Sequence, residues 1–159
     1  MGLSLNIGCG DKPLEAISGH KCINVDIRPL NKVDIVCDVR HLPFKANQFE
    51  RILASDIIEH FPESETDNLL NEWSRVLKIG GHMKIRTPSL KWVVDYYTQR
   101  KDAKFVSYHI FGGQDYPGNF HYVIFDKGWL SSMCANHGLR TIEYNEVHSN
   151  FIIVVVKER

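Results

Sequence analysis

The chain has 159 residues, 43% hydrophobic and 24% charged, with 19 basic residues set against 19 acidic ones. That length suits a single domain, 1–159, and is long enough to bury roughly 70% of the unfolded surface. No run of eighteen apolar residues suggests a membrane span, and the balanced charge lacks the broad basic footprint of a general nucleic-acid binder.

The first residues enter a strand pattern at once, without the basic and long apolar regions of a leader. Leu3–Ile7, Cys22–Asp26, Val33–Val36 and Arg51–Ala54 are short apolar runs separated by turn or polar residues, as in buried parallel strands. Residues 64–78 place Leu69, Leu70, Trp73, Val76 and Leu77 on one helical face. Ser64 and Asp67 open this helix at capping-box spacing, and Gly80-Gly81 stops it. A strand follows over His82–Arg86. Ser89 then caps a helix whose Leu90, Val93, Val94 and Tyr97 recur at core spacing. From Lys104 to Phe125 the periodicity gives way to Gly112-Gly113, Pro117-Gly118-Asn119 and a crowd of aromatics, so 104–125 reads as a long ordered loop on the substrate side. Asp126 caps a last helix carrying Trp129, Leu130, Met133 and Cys134, closed by Gly138, and strands follow at Arg140–Glu143 and Phe151–Lys157. Strands alternating with helices, then two consecutive strands, predict a mostly parallel α/β sheet whose last strand runs antiparallel. Cys9, Cys22, Cys37 and Cys134 form no C-x-x-C pair, and free thiols used as small apolar filler fit a reducing cytoplasm.

A strand that ends in Gly8-Cys9-Gly10 lets backbone approach a ligand without a side chain in the way. Asp26 ends the second strand, eighteen residues after Gly8, where a carboxylate can accept both hydroxyls of a ribose. The dinucleotide fingerprint requires a glycine at position 13, and Pro13 stands there. The expected ligand has a ribose but no diphosphate.

The segments LNIGCG, NVDI, CDVRHLPFKANQFERILASDIIEHF, LLNEWSRVLKIGG and HMKIRTP, spanning residues 3–88, together resemble the class I S-adenosylmethionine-dependent methyltransferases, in particular the methyltransferase type 11 group. Beyond residue 88 the segment from His109 to Leu130 resembles predicted methyltransferases of bacterial and phage origin. The resemblance implies a Rossmann-like, doubly wound, seven-stranded sheet in a three-layer αβα sandwich. It implies S-adenosylmethionine as cofactor, with S-adenosylhomocysteine as product. Carried over by position, Asn6 and Gly8-Cys9-Gly10 would meet the methionine and ribose parts, Asp26 and Ile27 the ribose, and Asp38 and Val39 the adenine edge. Ser55 and Asp56 would border the methyl group. Asn6 replaces a usual acidic residue but keeps a hydrogen-bonding group; Lys12 stands where a third glycine often sits and is expected to face solvent. No helix precedes the first strand, which suggests an open crevice that a second copy, as a homodimer, would cover.

Methyl transfer from a sulfonium needs alignment and exclusion of water more than an obligatory side chain, but a hydroxyl acceptor gains from a general base. His121, in the aromatic loop, and His60, after the fourth strand, are the candidates for catalysis; each has a rival structural role, fixing the loop or the turn. Tyr108, Phe111, Tyr116, Phe120 and Tyr122 are expected to form a lid or a satellite core. No H-x-x-x-H or Cys/His spacing suggests a metal. The expected function is methyl transfer to an oxygen or nitrogen of a small-molecule acceptor, a sugar or glycan precursor being favoured. The alternatives are a binding module without turnover and an enzyme acting on RNA or protein.

Overall fold

A computed structural model describes residues 2–159. The chain runs β1 (Leu3–Ile7), β2 (Ala16–Ile17), β3 (His20–Asp26), β4 (Ile35–Val36), β5 (Phe49–Ser55), a 3₁₀ turn (Ile58–His60), α1 (Glu63–Val76), β6 (Leu77–Pro88), α2 (Leu90–Arg100), α3 (Ala103–Phe111), α4 (Lys127–Asn136), β7 (Leu139–Val147) and β8 (Asn150–Lys157). One sheet has the order β2-β3-β1-β5-β6-β8-β7, with β4 also paired to β3. The pairs β1/β3, β1/β5, β3/β4 and β5/β6 are parallel, while β8 runs antiparallel to both β6 and β7. The mostly parallel sheet with an antiparallel last strand is therefore as expected, and the two-residue β2 is an added antiparallel edge.

Strand alternation sorts the side chains by face. Ile52, Ala54, Met83, Ile85, Ile153 and Val155 join one core with Leu69, Leu70 and Trp73 of α1 and Leu130, Met133 and Cys134 of α4. On the opposite face Leu53, Lys84, Ile152 and Val154 line an open hollow of about 690 Å³, because the segments between β1 and β5 carry loops and β2 in place of helices. No helix among the described residues is long and apolar enough to cross a membrane.

Four local differences from the sequence reading have physical causes. First, α1 begins at Glu63 behind Pro62, with no side-chain cap; the fixed φ of proline and Glu63 and Glu65 in the positive first turn replace the capping box. Second, α1 ends at Val76, not at Gly80-Gly81, because Leu77 turns extended and pairs with Phe49 of β5; the glycines sit in an irregular stretch of β6, where register slips before His82. The buried Lys157 ammonium takes over as a cap, donating to the Ser74 and Leu77 carbonyls at 2.8 and 2.9 Å and to Asn47 Oδ1 at 2.9 Å. Lys157→Ala leaves these acceptors unpaired and is expected to destabilise by about 1–3 kcal/mol, read as a lower Tm with unchanged far-UV circular dichroism at low temperature. An unchanged Tm would contradict that role.

Third, the expected loop 104–125 opens as helix α3, capped by Asp102, whose Oδ1 accepts from Phe105 N at 3.0 Å. Its Phe105 and His109 rings pack on α2: Phe105 lies 4.6 Å from Tyr96 and 5.8 Å from Trp92, and His109 5.5 Å from Trp92, between ring centroids. A face that serves a neighbouring short helix does not show the periodicity of a core helix. Fourth, α2 is capped by Ser89 as expected, but only Val93 of its face is buried; Val94 and Tyr97 are exposed, so that face is not core.

Candidate active site

A cleft of about 720 Å³ opens at the carboxyl ends of the parallel strands β1, β5 and β6, with Arg28, just past β3, beside it. This is where the chain order reverses between β1 and β5, the usual ligand crevice of an open α/β sheet. The loop after β1 forms its floor. Gly8 and Gly10 adopt φ of +62° and +54°, the left-handed region that favours glycine, and a Cβ on Gly8 would lie 2.7 Å from Ile57 Cδ1. Backbone bonds from Cys9 N to Val25 O (3.0 Å) and Lys12 N to Cys9 O (3.0 Å) hold the turn. The buried Asn6 amide donates to Asn24 Oδ1 (3.1 Å), which also accepts from Leu14 N (2.8 Å), so the departing chain is cinched back to β3. An amide can donate there, which the usual acid cannot.

Asp26 is 5% exposed. Its Oδ2 accepts from Gly10 N at 2.8 Å, and its Oδ1 from Arg28 N and Nε at 2.9 and 3.2 Å. Burial raises its pKa, but these Arg28 and Gly10 bonds outweigh it and hold the carboxyl below the usual range. A carboxylate offers about four lone-pair directions, and three are taken. Asp26 itself does not line the cleft; Gly10 and Arg28 do, and the Arg28 guanidinium lies 5.0 Å from the Tyr116 ring centroid. Of the other expected contacts, Asn6, Gly8, Cys9, Gly10, Ser55 and Asp56 line the cleft, whereas Ile27, Asp38 and Val39 do not. Ile27 is 65% exposed next to Asp26, Asp38 is paired with Arg40 (2.7 Å), and the Val39 carbonyl accepts from Trp73 Nε1 at 3.1 Å. Lys12 is exposed yet lines the mouth.

At the far end, Asp56 takes φ +52°, uncommon for a residue with a Cβ, and its carboxylate bonds Arg86, Asn150 Nδ2 (2.6 Å) and Ser55 Oγ (3.1 Å). It does not cap the next turn. The 3₁₀ turn then presents Glu59 and His60, and the loop after α3 returns across them: Tyr122 N bonds Glu59 O (2.8 Å), and the His60 and His121 rings stand edge to face, 4.9 Å apart. His60 Nδ1 meets Phe120 O and His121 Nδ1 meets His109 O, each at 2.9 Å. Carbonyls only accept, so both Nδ1 atoms carry the proton and each Nε2 keeps its lone pair. Burial lowers both imidazole pKa values, aided at His60 by the His121 ring and at His121 by His109, and opposed by the bonded carbonyls. Both shifts favour the neutral imidazole.

The two histidines singled out from sequence therefore meet, although 61 positions separate them. Gly112, at φ +78°, permits the return: a Cβ there would lie 2.8 Å from Asn119 O. Of the expected lid aromatics, Tyr108 and Tyr116 line the cleft, and Phe111, Phe120 and Tyr122 do not. Sequence reasoning did not assign roles to Arg28, Arg86 and Asn150, whose place depends on pairing between distant strands; a buried turn carboxyl, Glu59, stood beside His60 in the motif.

This strand order, glycine turn and cleft define a class I S-adenosylmethionine-dependent methyltransferase. Residues 5–85 match the family model described as a methyltransferase domain, Methyltransf_11, and the chain belongs to that family, with S-adenosylmethionine as its methyl donor. No curated protein matches the sequence significantly. Solved structures share the fold at low identity. The Burkholderia thailandensis 1,6-didemethyltoxoflavin-N1-methyltransferase, seen with S-adenosylhomocysteine, is 14% identical with a TM-score of 0.70, over 99% of this chain and 72% of that one. A Haloferax volcanii complex of the Trm112 methyltransferase activator with a putative methyltransferase is 13% identical at 0.72, over 99% and 82%. An S-adenosylmethionine-dependent methyltransferase of Methanosarcina mazei is 16% identical at 0.72, over 98% and 92%.

Proposed function

We propose that the chain methylates a small-molecule acceptor, at an oxygen or nitrogen, with hydroxyl-rich compounds such as sugar or glycan precursors favoured. The observation that carries this reading is a single cleft with two unlike ends. Backbone and glycine at the β1 end suit a nucleoside, with Tyr116 beside Arg28 there, while Arg86 and Asn150 gather around Asp56 and the two imidazoles meet at the 3₁₀ turn. A volume of about 720 Å³ is of the size that holds a nucleoside and a small acceptor together.

The residues present fit the donor. Gly8 and Gly10 leave backbone bare, Asp26 retains an unused lone pair, and movement of Arg28 away from Oδ1 would free another for a ribose hydroxyl. Ile27, Asp38 and Val39 would border the adenine at the open rim. When bound, S-adenosylmethionine supplies a methyl group that leaves sulfur without the bonding pair, while the acceptor atom supplies the new pair and gives up its proton. Ser55 and Asp56 orient the acceptor, and His121 with His60 receives or relays the proton. Residues 104–125 act as the substrate-side cover of a single domain, 1–159, and a homodimer would cover the exposed Phe111, Phe120 and Tyr122.

Incubation with methyl-labelled S-adenosylmethionine and a panel of sugars, nucleotide sugars, amines and RNA tests the acceptor class. Label on a sugar hydroxyl supports the proposal; label only on RNA or protein, or donor binding with no transfer to anything, contradicts it.

A further inference from the structure

We infer that Glu59, His60 and His121 form a site for a divalent first-row transition cation at the acceptor end of the cleft. One ligand atom from each residue, two ring nitrogens and a carboxylate oxygen, lie within 4.8 Å of one another. A cation bound at about 2.1 Å from each atom would set them roughly 3.0–4.2 Å apart, so slight closure of the His121 loop completes the geometry. Among the described residues this is the His/Cys/Asp/Glu grouping of that kind.

Two further observations point to a ligand. The first is Glu59, fully buried, with Oε2 taken by Thr87 Oγ1 at 3.1 Å and Oε1 left without any partner. A buried carboxyl oxygen with no partner is costly unless a proton or a cation satisfies it, and Glu59 lines the cleft. The second is the pair of Nδ1–H bonds to the Phe120 and His109 carbonyls. Backbone acceptors that fix the tautomer and the ring orientation are what metal-bound imidazoles usually have behind them. Ring nitrogens and one carboxylate suit zinc, cobalt, iron or manganese better than the all-oxygen preference of magnesium or calcium.

Sequence spacing could not reveal the site because His60 and His121 come from a turn and a loop that only the fold joins. Three protein ligands would leave positions open, and all three residues line the cleft. With a cation bound, the imidazoles serve as ligands, so their proton-accepting role belongs to the cation-free protein, and loss of His121 lowers turnover in either case. An acceptor hydroxyl on the open position becomes more acidic and loses its proton to solvent, leaving its oxygen able to form the new bond. That role rests on the methyl-transfer reading; the binding of the cation does not.

The test is optical titration of chelator-stripped, redialysed full-length protein with cobalt(II) chloride, paired with calorimetric titration of the same metal-free protein with S-adenosylmethionine. The expected result is one cobalt per chain with d–d bands and no thiolate-to-cobalt band, weakened by at least roughly 10-fold in Glu59→Gln and in His121→Ala. Because Glu59 is fully buried, His121→Ala carries the test if Glu59→Gln does not fold. No binding up to millimolar cobalt, an affinity unchanged in His121→Ala, or thiolate bands overturns the site. S-adenosylmethionine binding in the metal-free protein then decides separately whether the methyltransferase reading stands.

Discussion

Asp26→Ala is expected to weaken S-adenosylmethionine binding by roughly 10- to 100-fold, the loss of one charge-assisted hydrogen bond of about 1.5–3 kcal/mol to a ribose hydroxyl. The same change removes the acceptor for Gly10 N and the Arg28 backbone and side chain, so stability falls as well, by about 1–3 kcal/mol. The two effects separate by pH. The folded-state pKa of Asp26 lies below its unfolded value near 3.9, so its contribution is complete above that pH and is lost as acid titrates the group through its folded value. Denaturant unfolding of the wild type should lose stability on acidification in this window more steeply than Asp26→Ala, whose Tm deficit at pH 7 narrows towards pH 3. Equal acid limbs in the two proteins would deny Asp26 its structural role, and unaltered donor affinity would deny its place at the ribose.

His121→Ala is expected to leave S-adenosylmethionine affinity unchanged while turnover with a hydroxyl acceptor falls roughly 10²- to 10⁴-fold. Loss of the ring also removes the bond to the His109 carbonyl that ties the loop to α3, so the variant alone would confound chemistry with loop order. His121→Asn separates them, because its side-chain amide can still donate to that carbonyl but offers no imidazole lone pair. Turnover should stay low in His121→Asn even where loop protection from proteolysis is restored. Near-normal turnover in either variant would remove His121 from the chemistry.

How far the sequence could be read follows the reach of its signals. β1, α4 and the cap of α2 were legible because each is set by near neighbours: alternation, an Asp or Ser at the cap, a closing glycine. α1 showed its buried face, but its ends are not where the cap signals stood; Pro62 begins it ahead of Ser64, and the edge of β5 together with Lys157, eighty residues on, ends it. α3 was hidden since its aromatic face meets α2 and carries no core period. In the site, the glycine turn and Asp26 were visible as spacing along the chain. The occupation of Asp26 by Arg28 was not, as a motif records positions and not which lone pairs are already used. His60 and His121 could be named singly, whereas their edge-to-face contact and the unpaired Glu59 oxygen arise only when the loop after Gly112 folds back over the 3₁₀ turn.

The central claim is that the cleft binds a nucleoside methyl donor without phosphates, and calorimetric titration of the purified protein with S-adenosylmethionine, S-adenosylhomocysteine and NAD tests it most directly. Micromolar binding of the first two at one per chain, lost or sharply weakened in Asp26→Ala, with no heat from NAD, is the predicted result; NAD binding, or no binding of either sulfur nucleoside, would contradict it.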